Sequence, residues 1–188
     1  MARAQGRSDD EVELRPPTAA DVDAIYAAVS ESLPELATWM TWCHPGYARD
    51  ETVDWVRSTE QAWTDDTEHA FVIVDRRDGH LLGGCGLNAL DRLNRWANLG
   101  YWVRTSATGR GAATRAATLV ADFGFAELGL DRIEILAATG NARSQRVAAR
   151  VGAVREGVLR RRLHVNDVSH DAVVFSLIRD EWSGARDR

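Results

Sequence analysis

At Ala70 the chain changes character, and that change fixes the class of fold. Ala70-Phe-Val-Ile-Val74 is a continuous β-rich run that ends at Arg77-Asp78-Gly79-His80. Asp-Gly between two apolar runs signals a hairpin, so Leu81–Leu90 reads as the return strand. A polar loop, Asp91–Arg95, leads to a third strand, Trp96–Val103. Helix then follows: Ala113, Ala116, Leu119, Val120, Phe123 and Ala126 recur at spacings of three and four within 111–127, and Gly129 ends the run. Ile133, Ile135 and Ala137 alternate as a strand. Asn141 starts a helix that stops at Gly152, and Val158–Val165 and Ser169–Ile178 read as a last antiparallel pair with Val173, Phe175 and Leu177 on one face.

The first part of the chain is mainly helical. Val12–Arg15 is a short strand broken by Pro16-Pro17; Thr18 caps a helix over Ala19–Ser30. Pro34 opens a short helical stretch carrying Trp39 and Trp42, Cys43-His44-Pro45-Gly46 is a turn, and Asp50 caps a helix through Trp63. The element order is β-α-α, three antiparallel strands, α-β-α, β-β. This order gives a mixed α/β domain on one central sheet over 11–183, with a flexible segment at 1–10 and a tail at 184–188.

Composition removes several functions. All 23 basic residues are arginine. Schiff-base, pyridoxal and Walker-type chemistries, which need a lysine, are therefore excluded. Residues 1–100 hold 9 Arg against 18 Asp and Glu, a net charge of −9, and residues 101–188 hold 14 against 10, a net of +4. This division reads either as composition noise or as a first half that faces a cationic ligand and a second that faces an anionic one. A net charge of −5 argues against general nucleic-acid binding. No apolar window is long enough to span a membrane, and MARAQGRSDDEVEL lacks the apolar core of a signal peptide. Cys43 and Cys85 cannot build a disulfide framework, so a reducing cytoplasm is the expected compartment. His44, His69, His80, His164 and His170 have no metal-ligand spacing, and no metal is expected.

The chemistry concentrates at two helix starts. Thr108-Gly109-Arg110-Gly111-Ala112-Ala113-Thr114 follows a strand and opens a helix. Its small residues let a ligand approach the backbone, and the first amides of a helix have no intrahelical partner, which suits a phosphate or pyrophosphate. Arg110 and Arg115 add cations. Asn141-Ala-Arg-Ser144 begins the next helix, directly after the next strand. Each alone reads first as a glycine turn and an Asn cap. Together they open on one side of a sheet, where a long ligand can lie between strands.

These segments, with Asn98-Leu-Gly-Tyr-Trp-Val103, Val151-Gly152, Asp171-Ala-Val-Val-Phe175 and Glu181-Trp182, resemble the GCN5-related N-acetyltransferase (GNAT) superfamily, and within it the RimJ/RimL group of ribosomal-protein N-terminal acetyltransferases. The resemblance covers about 12–182. It implies a mostly antiparallel, twisted sheet flanked by helices, and acetyl-CoA as co-substrate. By resemblance, the pyrophosphate sits on the backbone of Thr108, Gly109, Arg110, Gly111, Ala112, Ala113 and Thr114. The pantetheine runs beside Trp102 and Val103 and meets Asn141, and the thioester lies near a bulge in Asn98–Tyr101. Ser144 is the implied acid for the departing thiolate. Three positions depart from the group: Thr108 replaces Gln or Arg, Asn98 replaces a Glu and cannot act as a base, and Ala153 replaces an aromatic.

Glu68, just before the Ala70 strand, is the candidate base, with Asp65 and Asp66 as weaker ones; its bland reading is a solvated strand-end carboxylate. Without a carboxylate at 98, an α-amine of pKa about 7.7–8.0 is an easier acceptor than a lysine amine at about 10.4. Trp39 and Trp42, three apart, are expected to share a helix face, either in the core or lining an acceptor groove beside Asn98. Arg160-Arg161-Arg162 is expected to cross an exposed strand. The acceptor is expected to be a protein or peptide N-terminus. A small amine (antibiotic, amino acid or polyamine) and a catalytically weak acyl-CoA sensor remain alternatives, and the resemblance allows a homodimer. A dinucleotide-binding module is disfavoured because no acidic ribose-binding residue follows the glycine turn at the required spacing.

Overall fold

The computed structural model describes residues 6–184. One sheet of eight strands runs β1(Arg7–Ser8), β2(Val12–Arg15), β3(His69–Asp75), β4(Leu81–Asp91), β5(Trp96–Val103), β6(Arg132–Ala138), β8(Val168–Ile178) and β7(Val154–Val165) across its width. Every pairing is antiparallel except β5 with β6. The helices are α1(Val22–Glu31), α2(Leu33–Trp39), α3(Arg49–Asp65), α4(Ala112–Ala126) and α5(Ala142–Val151).

β3 is buried along its whole length because both faces of the sheet are covered. Phe71 and Ile73 join one apolar cluster with Phe123 and Val120 of α4, while Val72 and Val74 join a second with Ile25 and Val29 of α1 and Val56 of α3. Val173, Phe175 and Leu177 share one buried face, as their alternation required.

Several local expectations are corrected. Part of the segment expected to be flexible, Arg7–Ser8, is an edge strand, with the Arg7 guanidinium 4.1 Å from the centre of the Phe123 ring; residues 1–5, and 185–188 of the tail, lie outside the described residues. The first helix begins as a short 3-10 turn at Ala19–Asp21, where the buried Asp21 carboxylate accepts the Thr18 amide and hydroxyl, both at 2.8 Å, and pairs with Arg15. Asp50 does not cap α3. Ala48 precedes that helix, and Glu51 accepts the Ala48 amide at 2.8 Å. Arg160–Arg162 lie exposed on β7 as expected.

The parting of two strands shapes the site. β5 and β6 pair only at Trp96–Asn98 with Arg132–Glu134. Beyond that point β5 stays bonded to β4 through Val103, and β6 to β8 through Ala138. Their facing edges, Leu99–Val103 and Ile135–Ala138, therefore do not pair with each other. Both strands then feed helices, α4 and α5, at the same end.

Candidate active site

A cavity of about 600 Å³ lies at this parting, within the size range of ligand pockets. Its wall includes Trp39, Trp42, Glu68, Asn98, Trp102, Asn141 and Ser144, so it joins seven of the fifteen site residues singled out from sequence. Val103 and the 108–114 turn are not in that wall; Val103 follows Trp102 directly and the turn begins five residues further on.

The approach to the turn is anchored from α1. Glu31 pairs with Arg104 and accepts the Ser106 amide at 2.8 Å, and Ser32 Oγ accepts the Thr105 amide at 2.9 Å. The Arg104 guanidinium and these hydrogen bonds hold the Glu31 carboxyl down at about 2. Thr108 is exposed, but its amide (3.2 Å) and hydroxyl (2.8 Å) both donate to the Thr105 carbonyl. Thr108 therefore presents no free donor, and the usable amides start at Gly109. None of the turn and cap hydrogen bonds of the described residues engages the amides of Gly109, Arg110, Gly111, Ala112, Ala113 or Thr114. Gly111, the N-cap of α4, has φ +85°, a conformation that strains an L side chain, and the space where its Cβ would stand is open to 4 Å. The turn is thus not plugged by side chains. Arg110 is exposed beside it. Arg115 is not available as a ligand cation, since it pairs with Asp9 and Glu11, both at 2.9 Å.

At the parting, Asn141 caps α5 by accepting the Ser144 amide at 3.0 Å. The cap reading and a place in the cavity hold together. Tyr101, on β5, donates to the Ser144 carbonyl at 2.9 Å and lies 3.2 Å from Ser144 Oγ. Burial pushes its phenol up to about 12, so it remains protonated at neutral pH. Tyr101 belongs to the Asn98–Val103 motif, which by itself assigns it no role. The available signal was strand alternation: Ala97, Leu99 and Tyr101 share a face, and a buried tyrosine hydroxyl needs a partner.

Asn98 donates from Nδ2 to Asn88 Oδ1 at 2.9 Å. Its own Oδ1 is buried without a partner among the described residues. The expected bulge in Asn98–Tyr101 is absent: the β4–β5 register is continuous there, and the irregularity falls between Asn88 and Asp91, where Ala89 has φ +51°. Trp102 lies across Gly84; a methyl on Gly84 would come within 2.8 Å of Trp102 Nε1.

Glu68 is half-buried in the wall, and desolvation raises its carboxyl above the ordinary glutamate range. Asp66 faces Arg92 at 2.5 Å, and neither it nor the exposed Asp65 lines the cavity. Trp39 and Trp42 do not share a helix face. α2 ends at Trp39, and Trp42 lies in the following turn, 41% exposed, with its ring 5.9 Å from that of Trp102. Both line the cavity all the same. Cys85 is buried in the wall, and its thiol is pushed up by desolvation. Among the described residues no group of His, Cys, Asp or Glu could hold a metal, and no helix is long and apolar enough to cross a membrane.

A sheet opened between two parallel strands, a cavity at the opening and bare amides at the helix start beyond one strand define an α/β fold with a ligand-sized opening between its strands. The chain belongs to the acetyltransferase (GNAT) domain family, whose model matches residues 11–154. It is 41% identical over 109 residues to "Putative ribosomal N-acetyltransferase YdaF" of Bacillus subtilis (strain 168), a stretch covering 58% of this chain and 60% of that protein. It is 29% identical over 113 residues to the ribosomal-protein-serine acetyltransferase of Escherichia coli (strain K12), covering 60% and 63%. A solved GCN5-related N-acetyltransferase from Brucella melitensis is similar with a TM-score of 0.82 and 27% identity, over 96% of this chain and 81% of that one. The matched stretches span about three fifths of the length of these curated relatives.

Proposed function

We propose that this chain, over 11–183, transfers an acetyl group from acetyl-CoA to a primary amine, and that the amine is the N-terminal α-amine of a protein or peptide. The observation that carries the reading is the parting of β5 and β6 at the cavity. The residues present fit the co-substrate: the amides of Gly109–Thr114 suit a diphosphate, and the empty space at Gly109 and Gly111 lets it reach them. Trp102, Val103 and Asn141 would flank the pantetheine arm, whose amides match the open β5 edge. Arg110 supplies the one nearby cation of the 108–115 segment that is not paired to a carboxylate.

Bound acetyl-CoA supplies an activated thioester carbonyl. Glu68 takes the proton from the attacking amine, directly or through water; its raised pKa brings it nearer the working pH, which improves a general base. Asn98 Oδ1 offers an acceptor for an N–H of the incoming amine. As the new C–N bond forms and the C–S bond breaks, the Ser144 hydroxyl, 3.2 Å from the Tyr101 hydroxyl, passes its proton to the departing thiolate and regains one from solvent, while Glu68 releases the amine proton to solvent. Trp39 and Trp42 exclude water around the amine. Every step uses residues of a single chain, so the homodimer allowed by resemblance is not required. The buried free thiols Cys43 and Cys85 fit a reducing cytoplasm.

Two relatives named for ribosomal acetylation support the choice of a protein acceptor. The test is thiol release from acetyl-CoA with N-terminal peptides against lysine side-chain analogues and small amines. Release with free-N-terminus peptides is expected. Release with small amines only would move the acceptor class, and tight CoA binding without release would make the chain a sensor.

A further inference from the structure

The mouth of the cavity carries a carboxylate that the proposed chemistry does not use. Glu51 and Glu68 both line the cavity, and among the described residues no arginine does. Glu68 is half-buried; Glu51 stands at the rim, its side chain 41% exposed. Hydrogen bonds from the Ala48 amide (2.8 Å) and with His44 Nε2 (2.9 Å) occupy one site on each Glu51 oxygen and leave further lone pairs. Around it the wall is aromatic: Trp42, Tyr47, Trp55 and Trp102 all line the cavity. The Trp42 ring lies 5.8 Å from Tyr47 and 5.9 Å from Trp102, tilted to both, so its indole remains open to an approaching group. Aromatic faces beside a fixed anion recognise a cation.

We infer that this mouth binds a second, non-reacting cation of the acceptor, so that the preferred acceptor is a peptide whose first or second residue has a basic side chain. The inference rests on the cavity being the acceptor site. The Ala48 amide, with His44, holds the Glu51 carboxyl below its ordinary value, whereas burial raises Glu68. One carboxylate thus stays anionic to hold a charge while the other is tuned to move a proton.

The test uses peptide amides with arginine or its neutral isostere citrulline at position one or two. In the wild type, kcat/KM should favour arginine by tenfold or more, mainly through KM. Glu51→Gln keeps an oxygen for the Ala48 amide but removes the charge, and should bring the ratio to within threefold of one. Titration calorimetry with arginine amide and citrulline amide reads the same preference without turnover. A ratio near one in the wild type, or a ratio that Glu51→Gln leaves intact, overturns the inference. A preference seen in titration without any acetyl transfer overturns the acetyltransferase reading, and with it the acceptor preference, and leaves only a cation site at the mouth.

Discussion

Replacing Glu68 by Gln should divide the acceptor classes. A positioned general base contributes typically about 10²–10⁴ in rate, or roughly 3–5 kcal/mol. The position of Glu68, half-buried in the cavity wall with a raised pKa, fits that role. For an α-amine, about one third is already neutral at pH 7.5, so the loss should sit near the lower end. For a lysine side chain only about one part in a thousand is neutral, and the loss should approach the upper end. Initial rates of thiol release between pH 6 and 9.5 measure both. In the wild type the acidic limb follows Glu68 losing its proton; in the variant it should follow the acceptor's own ionisation. The sign for stability runs the other way. A carboxyl whose folded pKa is raised contributes stability below its unfolded pKa and loses it as pH rises through the folded value. Glu68→Gln should therefore unfold at a higher temperature than the wild type at pH 7–8 and at an equal one near pH 4. Unchanged rates and an unchanged profile would refute the assignment of the base.

Gly111→Ala carries only the cost of φ +85°, roughly 1–2 kcal/mol, and should bind CoA detectably by calorimetry, whereas Gly111→Glu sets an anion against the diphosphate and should abolish binding. Equal affinities would remove the turn from the site. Ser144→Ala and Tyr101→Phe should each lower kcat by about two- to tenfold, in line with a lost hydrogen bond, with a smaller change in CoA affinity by titration. A loss confined to affinity would leave both residues as packing. Glu31→Gln should lower the melting temperature at pH 7 by a few degrees, for about 1 kcal/mol. Because the Glu31 carboxyl is held at about 2, its contribution is present above about 4.5 and vanishes as pH falls toward 2, so the two proteins should converge there. A constant difference at acid pH would contradict this.

Strand content and order were readable because local pattern decides them. Both the Asp78-Gly79 turn and the alternation of Ile133, Ile135 and Ala137 act within a few residues, and β4, β6, α4 and α5 fall where those signals put them. Helix starts were less readable. Asp50 looked like a cap, but Glu51 reaches back to the Ala48 amide, and sequence offers both residues equally. The spacing of Trp39 and Trp42 suggests a shared helix face, in the core or along a groove, but the helix ends between them, and both line the cavity. Tyr47, Trp55 and Asn88 were missed because only long-range packing brings them to Asn98 and Trp102. Thr108 shows the opposite failure. Its place in the motif suggested a ligand contact, but a local 3-10 turn consumes both of its donors.

Amide nitrogen–proton spectra of the labelled protein, recorded with and without CoA, address the diphosphate cradle without needing an acceptor. Gly109 to Thr114 should shift and gain protection from hydrogen exchange, together with the open β5 edge from Gly100 to Val103. Saturable CoA binding that leaves those amides untouched and perturbs another face would contradict the account.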